Sequence, residues 1–231
     1  MMAVVLFGFG CSGLQHAGNH SLQDGYYVFK TDSTAARPVY ARVTDSSLAL
    51  HARSGKKGLP QPQPFFETTL GAAATDSVAS PSFRLIKKSL DLDLSTVLFK
   101  FRFSRMALPN QLSSQLNFTL YGGYRQDYFR LRTQKTPLQQ YRHSLRHLAF
   151  DLGAFAGFGS TPVNPSVTGG AVAEEYDGIV VQKGVAFFIG SNRFTAGMSV
   201  GTDALLDRNR KNWLYQERPW LGLMIGLNLS D

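Results

Sequence analysis

The chain has 231 residues, enough for one domain of barrel or sandwich type with a small appendage. Charged residues make up 17%, aromatics 12%, and there are 22 glycines, which excludes disorder, since that needs low hydrophobicity and high charge. A net charge of +8 raises nucleic acid as a partner, but the cations are spread along the chain and alternate with apolar residues, as in Phe99-Lys100-Phe101-Arg102-Phe103. No nucleic-acid interface is therefore expected. No apolar run approaches the roughly 20 residues of a spanning helix. A closed β-barrel would be the remaining way into a bilayer, because it also satisfies every backbone group internally.

Residues 1–22 read as a truncated signal and tether. Met1 to Gly10 is a short apolar run that ends at Cys11, followed by Ser12-Gly13 and a polar stretch to Asp24. This resembles the end of a secretory signal with a lipoprotein cleavage site, which implies acylation of Cys11. Gly10 fits the position before the Cys, whereas Gly8 and Phe9 depart from the usual choices and the basic n-region is missing, as it would be if translation began further upstream. The alternative is a free structural thiol, since a lone Cys forms no internal disulfide. Residues 23–53 read as a separate small β unit. It has a strand at Gly25–Thr31 and a hairpin of Pro38–Thr44 and Leu48–Arg53 around Asp45-Ser46-Ser47. Residues 54–81, rich in Pro, Gly and Ser, read as a linker or long loop.

Residues 82–231 alternate with a period of two, which is the signature of strands. Val97, Phe99, Phe101 and Phe103 share one face; Leu116, Phe118, Leu120 and Tyr124 follow on the next strand. Gln126-Asp127 reads as a turn before a strand Tyr128–Thr133. In Leu148–Gly159, Phe150, Leu152, Ala154 and Phe158 oppose Asp151, Gly153, Gly157 and Gly159, and Phe155 breaks the rule. Gly184–Gly190 and Phe194–Gly201 form the clearest hairpin, and Trp220 to Ser230 closes the set. With Ser82–Lys87 and Ile179–Gln182 counted, about eight strands are expected, the smallest common closed barrel. The fold class is then all-β: an antiparallel up-and-down barrel of about eight strands behind a small N-terminal β segment.

Two features favour an apolar face turned outward to lipid. The opposite face is dominated by Gly, Ser, Thr and Asn, which fit a crowded lumen. The aromatics Tyr121, Tyr124, Tyr128, Trp213, Tyr215 and Trp220 fall near strand ends, as in an interfacial girdle. Lys100, Arg102, Arg125 and Asp151 form a candidate polar cluster in the lumen, either a plug of ion pairs or the lining of a basic pore. From Leu90 to Ser230 the chain resembles small outer-membrane β-barrel proteins of Gram-negative bacteria. Phe150–Gly159, Gly184–Gly190, Phe194–Gly201 and the final strand carry the likeness. It also resembles uncharacterised exported proteins that begin with a short Asp-Gly-Tyr-Tyr β segment.

Catalytic and metal chemistry is not visible. His143 and His147 are four apart but flanked by Arg142 and Arg146, and a loop setting is expected, with no metal. Asp91 and Asp93 read as a solvated strand edge, and Glu174-Glu175-Tyr176-Asp177 as a solvated turn rather than a calcium loop. No hydrolase elbow, phosphate loop or dinucleotide fingerprint is present. The expectation is a non-enzymatic outer-membrane or cell-envelope protein without cofactor, structural or surface-binding in role. Its partners would be outer-membrane lipid and other envelope proteins, with loops 134–143, 161–177 and 207–217 as contact surfaces. The alternative is a soluble lipocalin-like lipoprotein of the periplasm or cell surface, in which the same Phe and Leu residues surround a small apolar ligand.

Overall fold

A computed structural model describes residues 22–32, 34–44, 47–53, 58–69, 82–105, 108–135, 141–191 and 195–228. Cys11 and the signal-like segment lie outside the described residues. The chain is all-β: eleven strands in one antiparallel sheet, with two short 3-10 turns and no α-helix among the described residues. Among the described residues no helix is long and apolar enough to cross a membrane, which says nothing of strands.

The strands β1 (Gly25–Lys30), β2 (Arg37–Val43), β3 (Ser47–Arg53) and β4 (Pro60–Thr69) form a meander. The hub is β5 (Phe83–Arg102). One of its edges pairs with β7 (Asn117–Lys135) from Phe83 to Ser95, then with β6 (Gln111–Ser113). Its other edge takes β1 at Arg84–Ile86 and β11 (Pro219–Asn228) at Asp93–Arg102. From β7 the pairing continues through β8 (Tyr141–Val163), β9 (Tyr176–Ser191) and β10 (Thr195–Leu205) to β11. The ladder thus returns to β5, and six strands close a ring.

The ring is strongly staggered. Partners followed from Phe99 run through Leu223, Met198, Phe187, Leu152 and Tyr124 and return to β5 at Leu90 rather than at Phe99. Such an offset requires tilted strands.

Several expected breaks are absent. Ser82–Lys87 and the Phe-rich segment after Leu90 are one strand, β5. Gln126-Asp127 is no turn but the middle of β7, and Ile179–Gln182 continues into β9. In each case the period-two alternation persists through a polar stretch that contains no Pro, so nothing stops the ladder. The small β unit is joined to the rest through β1, which pairs with β5 in the common sheet. The Pro-rich segment contributes β4, paired to β3 with register shifts, as suits an edge strand carrying Pro60, Pro62 and Pro64. Trp213 to Tyr215 lies in the turn after the short 3-10 helix Arg208–Lys211 rather than in a strand.

The core falls into three clusters. Tyr27, Phe29, Val39, Leu48, Leu50, Phe83, Leu85, Phe129 and Leu131 fill the space between β1–β4 and the adjoining ends of β5, β7 and β8. Inside the ring, Val97, Tyr121, Phe155, Ala186, Phe188, Trp220 and Met224 pack together. At the far end, Val163, Val167, Val180, Leu205, Trp213 and Tyr215 form a cap built largely by the connections 164–175 and 206–218.

Candidate functional site

The two faces of the ring differ in kind. The row Phe99, Leu223, Met198, Phe187, Leu152, Tyr124, Leu90 encircles it with large apolar side chains, and every one is exposed, from 41% at Phe187 to 85% at Leu90. Beside it runs Phe101, Leu221, Val200, Val185, Ala154, Gly122, Leu92, also apolar throughout. Lys183 is a charged exception among the outward positions of β9; its long stem can carry the ammonium away from the apolar surface. An open crevice of about 500 Å³ indents this face, lined by Leu90, Asp91, Leu92, Gly122 and Gly123.

The inward row between those two reads Lys100, Gly222, Ser199, Ala186, Gly153, Gly123, Asp91. Small residues sit there because the ring is narrow. A Cβ on Gly153 would overlap the backbone of Gly122 and Gly123, and one on Gly201 would strike the Trp220 ring. Phe155, which broke the alternation, points into this space and lies 6.0 Å from Trp220 between ring centroids. The apolar face is thus outside and the small, polar face inside.

Lys100, Arg102 and Asp151 are buried on the inward side and Arg125 is half-buried there, but they form two groups rather than one. Under the cap, Lys100 Nζ reaches Asp203 Oδ1 and Oδ2 at 2.9 and 3.0 Å, and Arg102 Nη2 pairs with Asp203 Oδ2. Trp220 Nε1 donates to Asp203 Oδ1 at 2.9 Å. Lys100 lies 4.8 Å from the Trp220 ring, and Arg102 lies 5.5 and 5.4 Å from the rings of Trp213 and Tyr215. With all these donors upon it, Asp203 cross-links β5, β10 and β11.

The second group lies toward β1–β4. Arg125 bridges Asp91 at 3.2 Å and Asp127 at 3.1 Å; His147 Nε2 meets Asp127 Oδ1 at 2.7 Å; Tyr121 Oη donates to Asp151 Oδ1 at 2.7 Å. Between the groups, Ser95 and Thr119 hydroxyls meet at 2.6 Å. The two charged layers and the aromatic cluster between them fill the ring with ion pairs, hydrogen bonds and packed rings.

Other expected sites are relocated. Of the six girdle candidates, Tyr124 faces outward and Tyr128 is half-buried, but Tyr121, Trp213, Tyr215 and Trp220 are interior, each 5% exposed or less. Strand parity decides this: Trp220 shares its face with Gly222 and Met224, and Tyr121 with Asn117 and Thr119. Asp91 and Asp93 are buried at 4% and 5%, not a solvated edge. His143 and His147 stand on β8 rather than in a loop, His143 within 3.0 Å of the Thr133 hydroxyl and His147 stacked on Phe129 at 4.4 Å. Among the described residues no three His, Cys, Asp or Glu side chains gather as a metal would require.

Asp203, Asp127 and Tyr121 were missed as interior groups. Asp203 follows Gly197, Ser199 and Gly201 at the same parity, a signal that extends β10 two residues past its apparent end. No family model, curated protein or solved structure matches the chain.

Proposed function

We propose that this chain is a β-barrel protein of the bacterial outer membrane, non-enzymatic and without cofactor, in which the ring spans the bilayer. The observation that carries the reading is the unbroken row of exposed large apolar residues around the ring, set against charges buried inside it. Exposed apolar surface of that extent costs free energy in water, and a hydrocarbon surround removes the cost. The dimensions agree. Leu90 to Phe101 extends about 36 Å along β5, and a tilt of roughly 45° brings this to about 25 Å, the height of an outer-membrane apolar band. The ring's six strands are fewer than the eight of the commonest small barrels, and the glycines along its inner rows make that narrowness possible.

The lipocalin-like alternative needs Phe and Leu side chains around an inner cavity. Here Phe99, Leu152, Phe187 and Leu223 point away from the ring, and Phe155, Phe188 and Trp220 fill it. Short turns at one end and longer connections at the other are the usual outer-membrane pattern, with the short turns periplasmic. The connections 136–140 and 192–194 are the short ones, so β1–β4 would lie on the periplasmic side and the cap on the surface, available for binding. The filled ring argues for a structural or adhesive role over conduction.

The test uses the Cys11→Ala chain, so that no acyl anchor contributes. Carbonate-washed outer membranes carrying it should yield an unheated gel band that migrates faster than the heated one. Release into the soluble fraction without a heat shift would sink the membrane reading.

A further inference from the structure

Beyond the encircling apolar rows, on the side of β1–β4 and past Lys88 and Gln126, one cross-strand row consists of cations. Lys30 stands opposite Arg84, Arg84 opposite Arg130, and Arg130 opposite Arg146, so β1, β5, β7 and β8 each contribute one. Their chain neighbours Phe29, Phe83, Leu85, Phe129 and Leu131 point into the core, which puts the four cations on the outer surface. Asp32 reaches Arg84 at 3.3 Å, with the Asp32 side chain 78% exposed. Among the described residues no acid is paired with Lys30, Arg130 or Arg146. Two residues nearer the ring, on the same face, lies the paired row Val28, Ile86, Tyr128, Leu148. Apolar surface therefore passes directly into a line of positive charge.

Like charges directly opposite in a sheet destabilise it, so a row of this kind is best accommodated by an anion lying along it. The adjoining apolar row narrows the choice. A free anion or a nucleic acid would gain nothing from Tyr128 and Leu148, whereas a phospholipid places acyl chain on them and phosphate one step further out. Guanidinium groups suit that phosphate, because their planar forks donate two hydrogen bonds to it.

We propose that Lys30, Arg84, Arg130 and Arg146 bind the phosphates of anionic phospholipids in the leaflet nearest β1–β4. This rests on the membrane reading above. The row works as an electrostatic collar that fixes the depth of the ring in the bilayer and selects anionic lipid around it.

The experiment titrates phosphatidylglycerol, phosphatidylcholine or inorganic phosphate into the full chain in non-ionic detergent and follows the midpoint of the heat shift. Phosphatidylglycerol should raise the wild-type midpoint, and the other two should not. In Arg130→Gln/Arg146→Gln the concentration giving half the rise should increase about 25-fold, at about fivefold per cation lost. Arg130→Lys/Arg146→Lys should keep most of the effect, and Lys211→Gln, at the opposite end, should change nothing. Equal stabilisation by phosphatidylcholine or by free phosphate would overturn the proposal, as would an unchanged titration in the double Gln variant. A wild-type chain that shows no heat shift in any detergent would remove the membrane reading itself, a result distinguishable from loss of lipid selectivity.

Discussion

Asp203 is 1% exposed and holds two cations, Lys100 at 3% and Arg102 at 4%. Removing one partner of a buried ion pair leaves charge with neither water nor counter-ion, which costs about 3–5 kcal/mol, although apolar replacement of the whole group is often neutral. Asp203→Ala should therefore destabilise the chain by about that amount, while the triple variant Lys100→Met/Arg102→Leu/Asp203→Leu should recover most of the loss. Denaturant unfolding read by tryptophan fluorescence checks both, since Trp213 and Trp220 lie against this group. An Asp203→Ala chain as stable as wild type would show that the cluster does not brace the ring. A second residue-scale effect depends on pH. Tyr27 is buried and donates to the Gln23 carbonyl at 2.7 Å; burial pushes its phenol up to about 12. In the unfolded chain the phenol ionises near 10, so the stability it contributes is complete below about pH 10 and lost as pH rises toward about 12. Tyr27→Phe, which keeps the edge-to-face packing on Phe129, should flatten that alkaline decline in denaturant midpoints.

Strands in this molecule are specified by side-chain size on two faces, and the inner face tolerates little change. Gly153 faces Gly123 across the β7–β8 ladder, and a larger residue there would collide with the β7 backbone. Gly153→Val should abolish the fast-migrating unheated band, whereas Ala154→Val, one position on and outward, should leave it intact; equal behaviour of the two would mean that ring closure does not depend on the small inner row. Such alternation was legible in the sequence: the outward sets Leu116–Leu120, Phe150–Ala154 and Met198–Val200 follow from period two alone. What was not legible has local causes. Alternation groups Val97 with Phe99, yet a register shift opposite Leu223 and Met224 turns Val97 inward at 1% exposure while Phe99 stays outward at 43%. A bulge is invisible to a count by twos. Ion pairs such as Arg125 with Asp91 connect residues 34 apart, and which polar tracts continue a strand through the interior depends on partners that the local sequence does not name. The cationic row is a property of register as well. Each member looks like an ordinary surface charge until the ladders set them side by side on neighbouring strands, whose backbones lie about 5 Å apart.

At the scale of the whole molecule, the question is what surrounds the ring. In a globular protein in water the apolar rows would be inside and the ion pairs at the surface; here the positions are exchanged over the ring, while β1–β4 and their core keep the ordinary arrangement, with Tyr27, Leu48 and Leu85 buried. On the membrane reading proposed above, one chain has two surroundings: hydrocarbon around the ring and water around β1–β4. Leu152 tests this directly. It lies in the encircling row, is 63% exposed, and makes no ion pair or hydrogen bond that a substitution would break. In water an exposed Leu→Arg change shifts stability by no more than about 0.5 kcal/mol. On the lipid face near the middle of a bilayer the same change costs about 2–4 kcal/mol. Leu152→Arg refolded into lipid vesicles should therefore lose about 2–4 kcal/mol relative to wild type, while Lys88→Ala, at the rim of the same face, should change little. If Leu152→Arg proves neutral in vesicles, lipid does not surround the ring at that level, and the exposed rows must instead be covered by protein.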